Sequence, residues 1–243
     1  MKRCSWLVAV LALSGCAQQA SLPPEIEEAR TEAIVASTND PAGAVAFYKQ
    51  RLASEDSADN RYKLVESYLA MQDADSALFY LQPLVEKEQL SAQGFFLYGK
   101  ALALHGQYLD ARFAVTEALI RNPDFAQAHN FLGVLDAGEG RFLDARDSFN
   151  RARALLLDDI TVKNNLAVLD IYQQDYQAAY NRLKPLWIQG NEDEQVRANL
   201  LVATAKLGYV EEFVLLLGRE HDDFTVYSLY QTLSASEFKG GIK

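Results

Sequence analysis

Apolar and polar positions along this chain follow two superimposed periods. Within short windows, large apolar side chains recur three and four residues apart, the signature of amphipathic helices. Over longer distances the pattern returns every 34 residues, five times without an insertion. One column reads Val65, Gly99, Gly133, Ala167, Leu201, and seven residues on a second reads Gln72, Gly106, Gly140, Gln174, Gly208. A third is Ala77, Ala111, Ala145, Ala179, Phe213, and a fourth is Leu81, Val115, Phe149, Leu183, Leu217. Leu64, Tyr98, Leu132, Leu166 and Leu200 form a further apolar column. The pattern predicts two antiparallel helices per unit. The small residues of the first column suit a close helix approach. The glycines of the second can take φ > 0 and close the first helix. Tyr108, Phe142 and Tyr176 open the second helices, and the alanine column lets each nest against its partner.

A small residue, a turn residue, an alanine and a large apolar residue in fixed phase at this spacing resemble the tetratricopeptide repeat (TPR). The resemblance implies an all-α, right-handed superhelix of stacked helix hairpins with terminal capping helices. One hairpin cannot bury its apolar face alone, so stability comes from stacking neighbours. The phase places units at 58–91, 92–125, 126–159, 160–193 and 194–222. Residues 25–57 form a degenerate first repeat, with Ile26, Ala29, Ala33 and Ile34 on the inward face of its first helix. Asp40 and Pro41 start its second helix. A helix within 223–243 places Phe224, Tyr227, Tyr230 and Leu233 on one stripe, expected to pack as a cap on the last repeat. Asp124 behind Pro123, and Ser91, Asp159 and Asp193, are expected helix N-caps. Pro83 and Pro185 share a column late in second helices, where each is expected to kink or shorten its helix.

The N-terminus carries a separate signal. Lys2 and Arg3 precede an apolar run from Trp6 to Leu13, far short of the roughly 20 residues that span a bilayer. Residues 1–15 therefore read as a signal peptide. Leu13-Ser14-Gly15-Cys16 resembles the lipobox of bacterial lipoproteins, which implies cleavage before Cys16 and acylation there. Two or more acyl chains anchor stably. Ala17 after the cysteine favours an outer-membrane destination in lipoproteins of this kind. Residues 16–24 then form a lipidated tether whose eight residues past Cys16 span at most about 27 Å.

Composition narrows the partners. The formal net charge of −10 becomes −12 when Lys2 and Arg3 are removed. Such a chain is not expected to bind nucleic acid or anionic lipid headgroups. Cys4 falls in the signal segment, leaving Cys16 as the only cysteine of the expected mature chain and no internal disulfide. No cofactor, nucleotide or metal is implied. Gly94 to Ala101 approaches a P-loop, but Ala101 stands where Ser or Thr must meet magnesium. His105, His129 and His221 share no ligand spacing. Asp136 and Asp170 occupy one column and read as a hydrated groove edge rather than an acid–base pair. The chain therefore reads as a non-enzyme.

In this fold the first helices line the concave face. Mapping the phase puts Tyr62 and Glu66, Phe96 and Lys100, Asn130 and Val134, and Asn164, Asn165 and Val168 there. Side-chain amides can pair with both donors and acceptors of an extended peptide, and Tyr62 and Phe96 supply apolar anchors. These residues form the expected groove for a protein partner.

Three stretches carry a closer likeness. Asn164-Asn165-Leu166-Ala167-Val168, Leu183-Lys184-Pro185-Leu186, and Val196-Arg197-Ala198-Asn199-Leu200 with Ala205-Lys206-Leu207-Gly208 resemble the later repeats of TadD-like TPR lipoproteins of tight adherence (Flp) pilus systems. The resemblance covers about residues 90–220. It implies a non-catalytic scaffold on the periplasmic face of the outer membrane, anchored through lipid on Cys16. Its partners would be a secretin or other pilus assembly components. Phe213 and Glu220 depart from the pattern in the fifth repeat. A pilotin-like lipoprotein assisting secretin assembly, and an adaptor for peptidoglycan hydrolases, share this architecture.

Overall fold

The computed structural model describes residues 24–38, 40–190, 192–218 and 221–237. Within them lie 13 helices. These are α1 (Pro24–Ser37), α2 (Pro41–Ser54), α3 (Ala58–Ala70), α4 (Ala74–Glu86), α5 (Ala92–Leu104), α6 (Tyr108–Arg121) and α7 (Ala126–Gly138). They continue as α8 (Phe142–Ala154), α9 (Asp159–Tyr172), α10 (Tyr176–Ile188), α11 (Glu194–Leu207), α12 (Val210–Leu217) and α13 (Asp223–Ala235). No strand occurs among the described residues.

The turn column does what its position demands. Gln72, Gly106, Gly140, Gln174 and Gly208 all take positive φ, between 59° and 86°. The amide just past each returns to the preceding helix: Asp73 to the Tyr68 carbonyl at 2.9 Å, Gln107 to Leu102 at 2.8 Å and Arg141 to Asp136 at 2.8 Å. This closure satisfies carbonyls that a helix end leaves open. Gln72 and Gln174 adopt the left-handed conformation without glycine's freedom, so the hairpin imposes it on them.

Helix starts follow the capping rules with two corrections. Ser57, Asp73, Ser91, Asp175 and Asp193 each accept a bond from a first-turn amide. At α9 the cap is Asp158, with Asp159 already inside the helix. At α7 the cap is Phe125, which offers no side-chain acceptor. Asp124 instead pairs with Arg151 at 2.8 Å, tying the entry of α7 to α8.

Pro83 and Pro185 do not shorten their helices, because α4 and α10 each run 13 residues, as α5, α7 and α8 do. The carbonyls deprived of a donor belong to Phe79 and Asn181, both on the exposed face, where water can satisfy them.

The buried columns fit one another in size. Adding a Cβ to Gly133 would bring it to 2.7 Å from Phe149, and at Gly99 to 2.7 Å from Val115. The absent side chain on the first helix thus makes room for the large one on the second. Phe149, Val115, Leu81 and Leu183 are all sealed from solvent.

Consecutive first helices touch: α3 with α5, α7 with α9, and α9 with α11. Each second helix packs on its own first helix and on the first helix of the next unit. First helices therefore form an inner layer and second helices an outer one.

Both ends depart from expectation. Ile26 and Ile34 of α1 are each 53% exposed, so the expected inward face looks to solvent. α1 is held instead by Val35, packed on the first core cluster, and by Glu32. The Glu32 carboxylate takes Lys63 of α3 at 2.5 Å and Arg51 of α2 at 3.0 Å. Lys63 holds that carboxyl below its ordinary range. At the other end α12 has eight residues. Phe213 replaces the column's alanine, is fully buried, and meets Tyr230 of α13 edge-on at 5.3 Å. The expected capping stripe docks through only half its length, since Phe224 and Tyr227 are exposed. Lys206 donates to the carbonyls of Ser234 and Ser236, pinning the end of α13.

Candidate functional site

The residues assigned to the groove lie on the inner helices α3, α5, α7 and α9, yet most are already engaged. The Tyr62 hydroxyl accepts from the Ser91 amide at 3.2 Å, joining α3 to the start of α5. Phe96 packs against Phe125 at 4.9 Å and Phe131 at 6.0 Å between ring centres. Neither aromatic side chain projects freely as an anchor. Lys100 lies with its Nζ 5.7 Å from the Phe96 ring centre. Asn164 is buried and accepts from Asn199 Nδ2 at 2.8 Å. Asn130 accepts from Asn165 Nδ2 at 2.8 Å.

Three of these contacts share one geometry. Each joins position n to n+35 on the next inner helix: Phe96 to Phe131, Asn130 to Asn165, Asn164 to Asn199. The lining is therefore a ladder whose rung is aromatic between α5 and α7 and amide from α7 to α11. Each amide pair uses one donor and one acceptor lone pair, so each carboxamide keeps further capacity.

The open surface lies beside the ladder. Val134, Ala137, Gly138, Phe149, Asn165, Val168 and Tyr172 surround a recess of about 250 Å³ between α7 and α9. Its lining is mostly apolar and includes the Asn165 carboxamide. Gly138 contributes no side chain there, whereas the same column carries Ala70, Leu104, Tyr172 and Lys206 in the other units. The sequence mapping of the concave face named three of its lining residues, Val134, Asn165 and Val168, but not Ala137, Gly138, Phe149 or Tyr172. A second recess of about 160 Å³, lined by Asp158, Thr161, Asn164, Asn165, Asp193 and Gln195, opens where α9 and α11 begin.

Asp136 and Asp170 are not a hydrated edge. They are 1% and 2% exposed. Asp136 accepts from Arg112 at 3.0 Å and Arg141 at 2.6 Å, and Asp170 from Arg146 at 2.8 Å and Arg182 at 3.0 Å. Asp136 holds the Arg141 guanidinium above its usual value. Each carboxylate thus takes one guanidinium from the preceding unit, Arg112 or Arg146, so the pair joins units. Arg112 and Arg146 are themselves 34 residues apart, on the outer helix preceding each aspartate's own helix.

The remaining chemistry is sparse. Gly94 to Ala101 lies wholly within α5, whose amides serve the helix. Among the described residues, no group of three His, Cys, Asp or Glu side chains is placed to hold a metal ion, and no helix is long and apolar enough to cross a membrane. The expected signal peptide 1–15, Cys16 and the tether up to residue 23 fall outside the described residues, and Pro24, the tether's expected last residue, opens α1 instead.

No protein-family model matches the chain, and no curated protein does. Solved structures do. A chain of the APC/C hetero-tetramer Cut9–Hcn1 superposes with a TM-score of 0.65 at 19% identity, covering 78% of this chain and 39% of that one. This chain thus spans well under half the length of that relative. TTC0263, a thermophilic TPR protein of Thermus thermophilus, gives 0.63 at 19% identity over 74% of this chain and 98% of that one. A tetratricopeptide repeat protein of Parabacteroides merdae gives 0.62 at 12% identity, covering 86% and 84%. At these identities the likeness speaks to the fold, and the fold is an all-α TPR solenoid.

Proposed function

We propose that this chain is a non-catalytic TPR scaffold, anchored by lipid on Cys16 to the periplasmic face of an outer membrane. Its inner face receives a segment of a partner protein during assembly of a tight adherence (Flp-type) pilus secretion apparatus. The observation that carries partner binding is the recess between α7 and α9, with buried Ala137 and Phe149, the more open Val134, Val168 and Tyr172, and the Asn165 carboxamide in its lining. That combination suits an aliphatic side chain on a segment whose backbone needs hydrogen-bonding partners. The anchor rests on Lys2, Arg3, the short apolar run and Leu13 to Cys16. The pilus assignment rests on the three stretches that resemble TadD-like repeats.

Crosslinking in native cells, followed by mass spectrometry of the solubilised envelope complex, tests the whole reading with Cys16→Ala as control. Recovery of a secretin or another pilus component, lost in the control, supports it. A secretin recovered with type IV rather than Flp components points to the pilotin-like role. Peptidoglycan hydrolases without any pilus component overturn the pilus assignment in favour of an adaptor. Gly138→Leu, which fills the recess, should cut capture of the partner at least tenfold while leaving helicity unchanged.

A further inference from the structure

The outer helices carry a surface that the groove reading leaves unused. On α6, Leu109, Phe113 and Ile120 fall at i, i+4 and i+11, one face of a helix, and are 77%, 67% and 67% exposed. Phe79 on α4 shares a column with Phe113, and Leu143 on α8 shares one with Leu109. They are 70% and 76% exposed. The same three columns read Asp75, Phe79 and Glu86 on α4, Leu143, Asp147 and Ala154 on α8, Gln177, Asn181 and Ile188 on α10, and Glu211 and Leu215 on α12 with Asp222 beyond its end. Exposed apolar residues thus recur singly, as at Ile188 and Leu215, but only α6 is apolar at all three positions. Five such side chains present on the order of several hundred Å² of apolar surface, the scale at which exposed patches mark interaction sites.

Charge at the rim says what fits over it. Asp110 in the first turn of α6 and Arg121 in the last stand eleven residues apart on one side of the stripe, both exposed. Arg121 is fixed there by Glu117 at 2.5 Å and by the Phe95 ring at 4.1 Å, and a guanidinium has donors to spare. A second α6 laid antiparallel sets Leu109 of each copy on Ile120 of the other, and Asp110 of each beside Arg121 of the other. A parallel pairing would bring like helix ends together and leave each Asp110 far from the other copy's Arg121. A standard interface buries about 800 Å² per partner, a little over half of it apolar, which is the scale of this patch with its rim.

We propose that the α6 face is a self-association surface, through which two copies of this chain pair two-fold with antiparallel α6 helices. The proposal is independent of the groove and of any partner bound there.

Sedimentation equilibrium of the full chain carrying Cys16→Ala, from 1 µM upward by roughly two orders of magnitude, reads the monomer–dimer balance. Phe113→Asp should weaken association at least thirtyfold, with helicity unchanged because the side chain is exposed. Asp110→Arg alone should weaken it several-fold, and Asp110→Arg with Arg121→Asp should bring it back to within about threefold of the parent. A chain that stays monomeric throughout overturns the proposal. So does a dimer indifferent to Phe113→Asp, or a charge exchange that fails to restore pairing. Monomers that bind neutral phosphatidylcholine vesicles through Phe113 would mean that lipid covers the patch, which also overturns it.

Discussion

Two aspartates carry much of the energetic contrast between junctions. Asp136 sits nearly dry between Arg112 and Arg141. At the preceding junction the same two columns hold Leu78 and Leu102. One fold thus accepts either an ion pair or an apolar pair at this point. Breaking a buried pair strands its partner, whereas replacing both members by packed apolar groups is often neutral or better. Asp136→Ala should therefore destabilise by roughly 3 kcal/mol, at the low end of the usual range because both arginines reach solvent. Asp136→Leu with Arg112→Leu should come within about 1 kcal/mol of the parent or exceed it. Urea midpoints with unchanged slopes would report both. Gly133→Ala makes a different point. Alanine gains about 1 kcal/mol of helix propensity over glycine, but its Cβ would meet buried Phe149 at 2.7 Å and the Ala145 carbonyl at 3.1 Å. Overpacking of about 1–3 kcal/mol should win, leaving a net loss by the same measurement. The columns of small and large residues were readable from sequence because each repeats five times. The role of Asp136 was not, because its partner lies 24 residues away on another helix. It emerges only when the column Leu78, Arg112, Arg146 is set beside Leu102, Asp136, Asp170.

At the scale of elements, local signals fared well where backbone chemistry decided and poorly where tertiary context did. Tyr108, Phe142 and Tyr176 do begin α6, α8 and α10. The turn column is left-handed throughout. The apolar face of α1 misled, because its isoleucines point to solvent while an acid–base cluster does the holding. That cluster has a pH signature. The Glu32 carboxyl is lowered from an ordinary value of 4.5 by Lys63, then by its other cations. Its stabilisation is therefore complete above that value and is lost as pH falls through the lower folded-state value. Amide exchange in α1 and α2 should accelerate relative to α5 as the pH falls below the ordinary value of 4.5. Glu32→Gln should weaken α1 at neutral pH and remove that acid dependence. A steep acid response surviving in the variant would place the titration elsewhere. The cap α13 is likewise held at one end only, through Tyr230 and Lys206.

Across the whole molecule, stability in a solenoid adds up from units and the interfaces between neighbours, so opening spreads from the weaker end. The eight-residue α12 and the half-docked α13 weaken the C-terminal end, as the solvent-facing Ile26 and Ile34 of α1 weaken the other. Native-state hydrogen exchange should find α12 and α13 opening at a lower free energy than α5 to α8. Uniform protection along the array would contradict this. The groove was legible as a strip of residues but not as a shape, because the recess draws its lining from α7, α8 and α9 together, which a column along the sequence does not show.

The ladder along the inner face also makes the array an uneven spring. A hydrogen bond such as Asn165 to Asn130 fails within a few tenths of an ångström of stretch, because it depends on both distance and angle. Ring packing such as Phe96 on Phe131 weakens more gradually. Pulled at its two ends, the stretch from α7 to α11 is stiff and snaps at its rungs, while the join between α5 and α7 yields by small degrees.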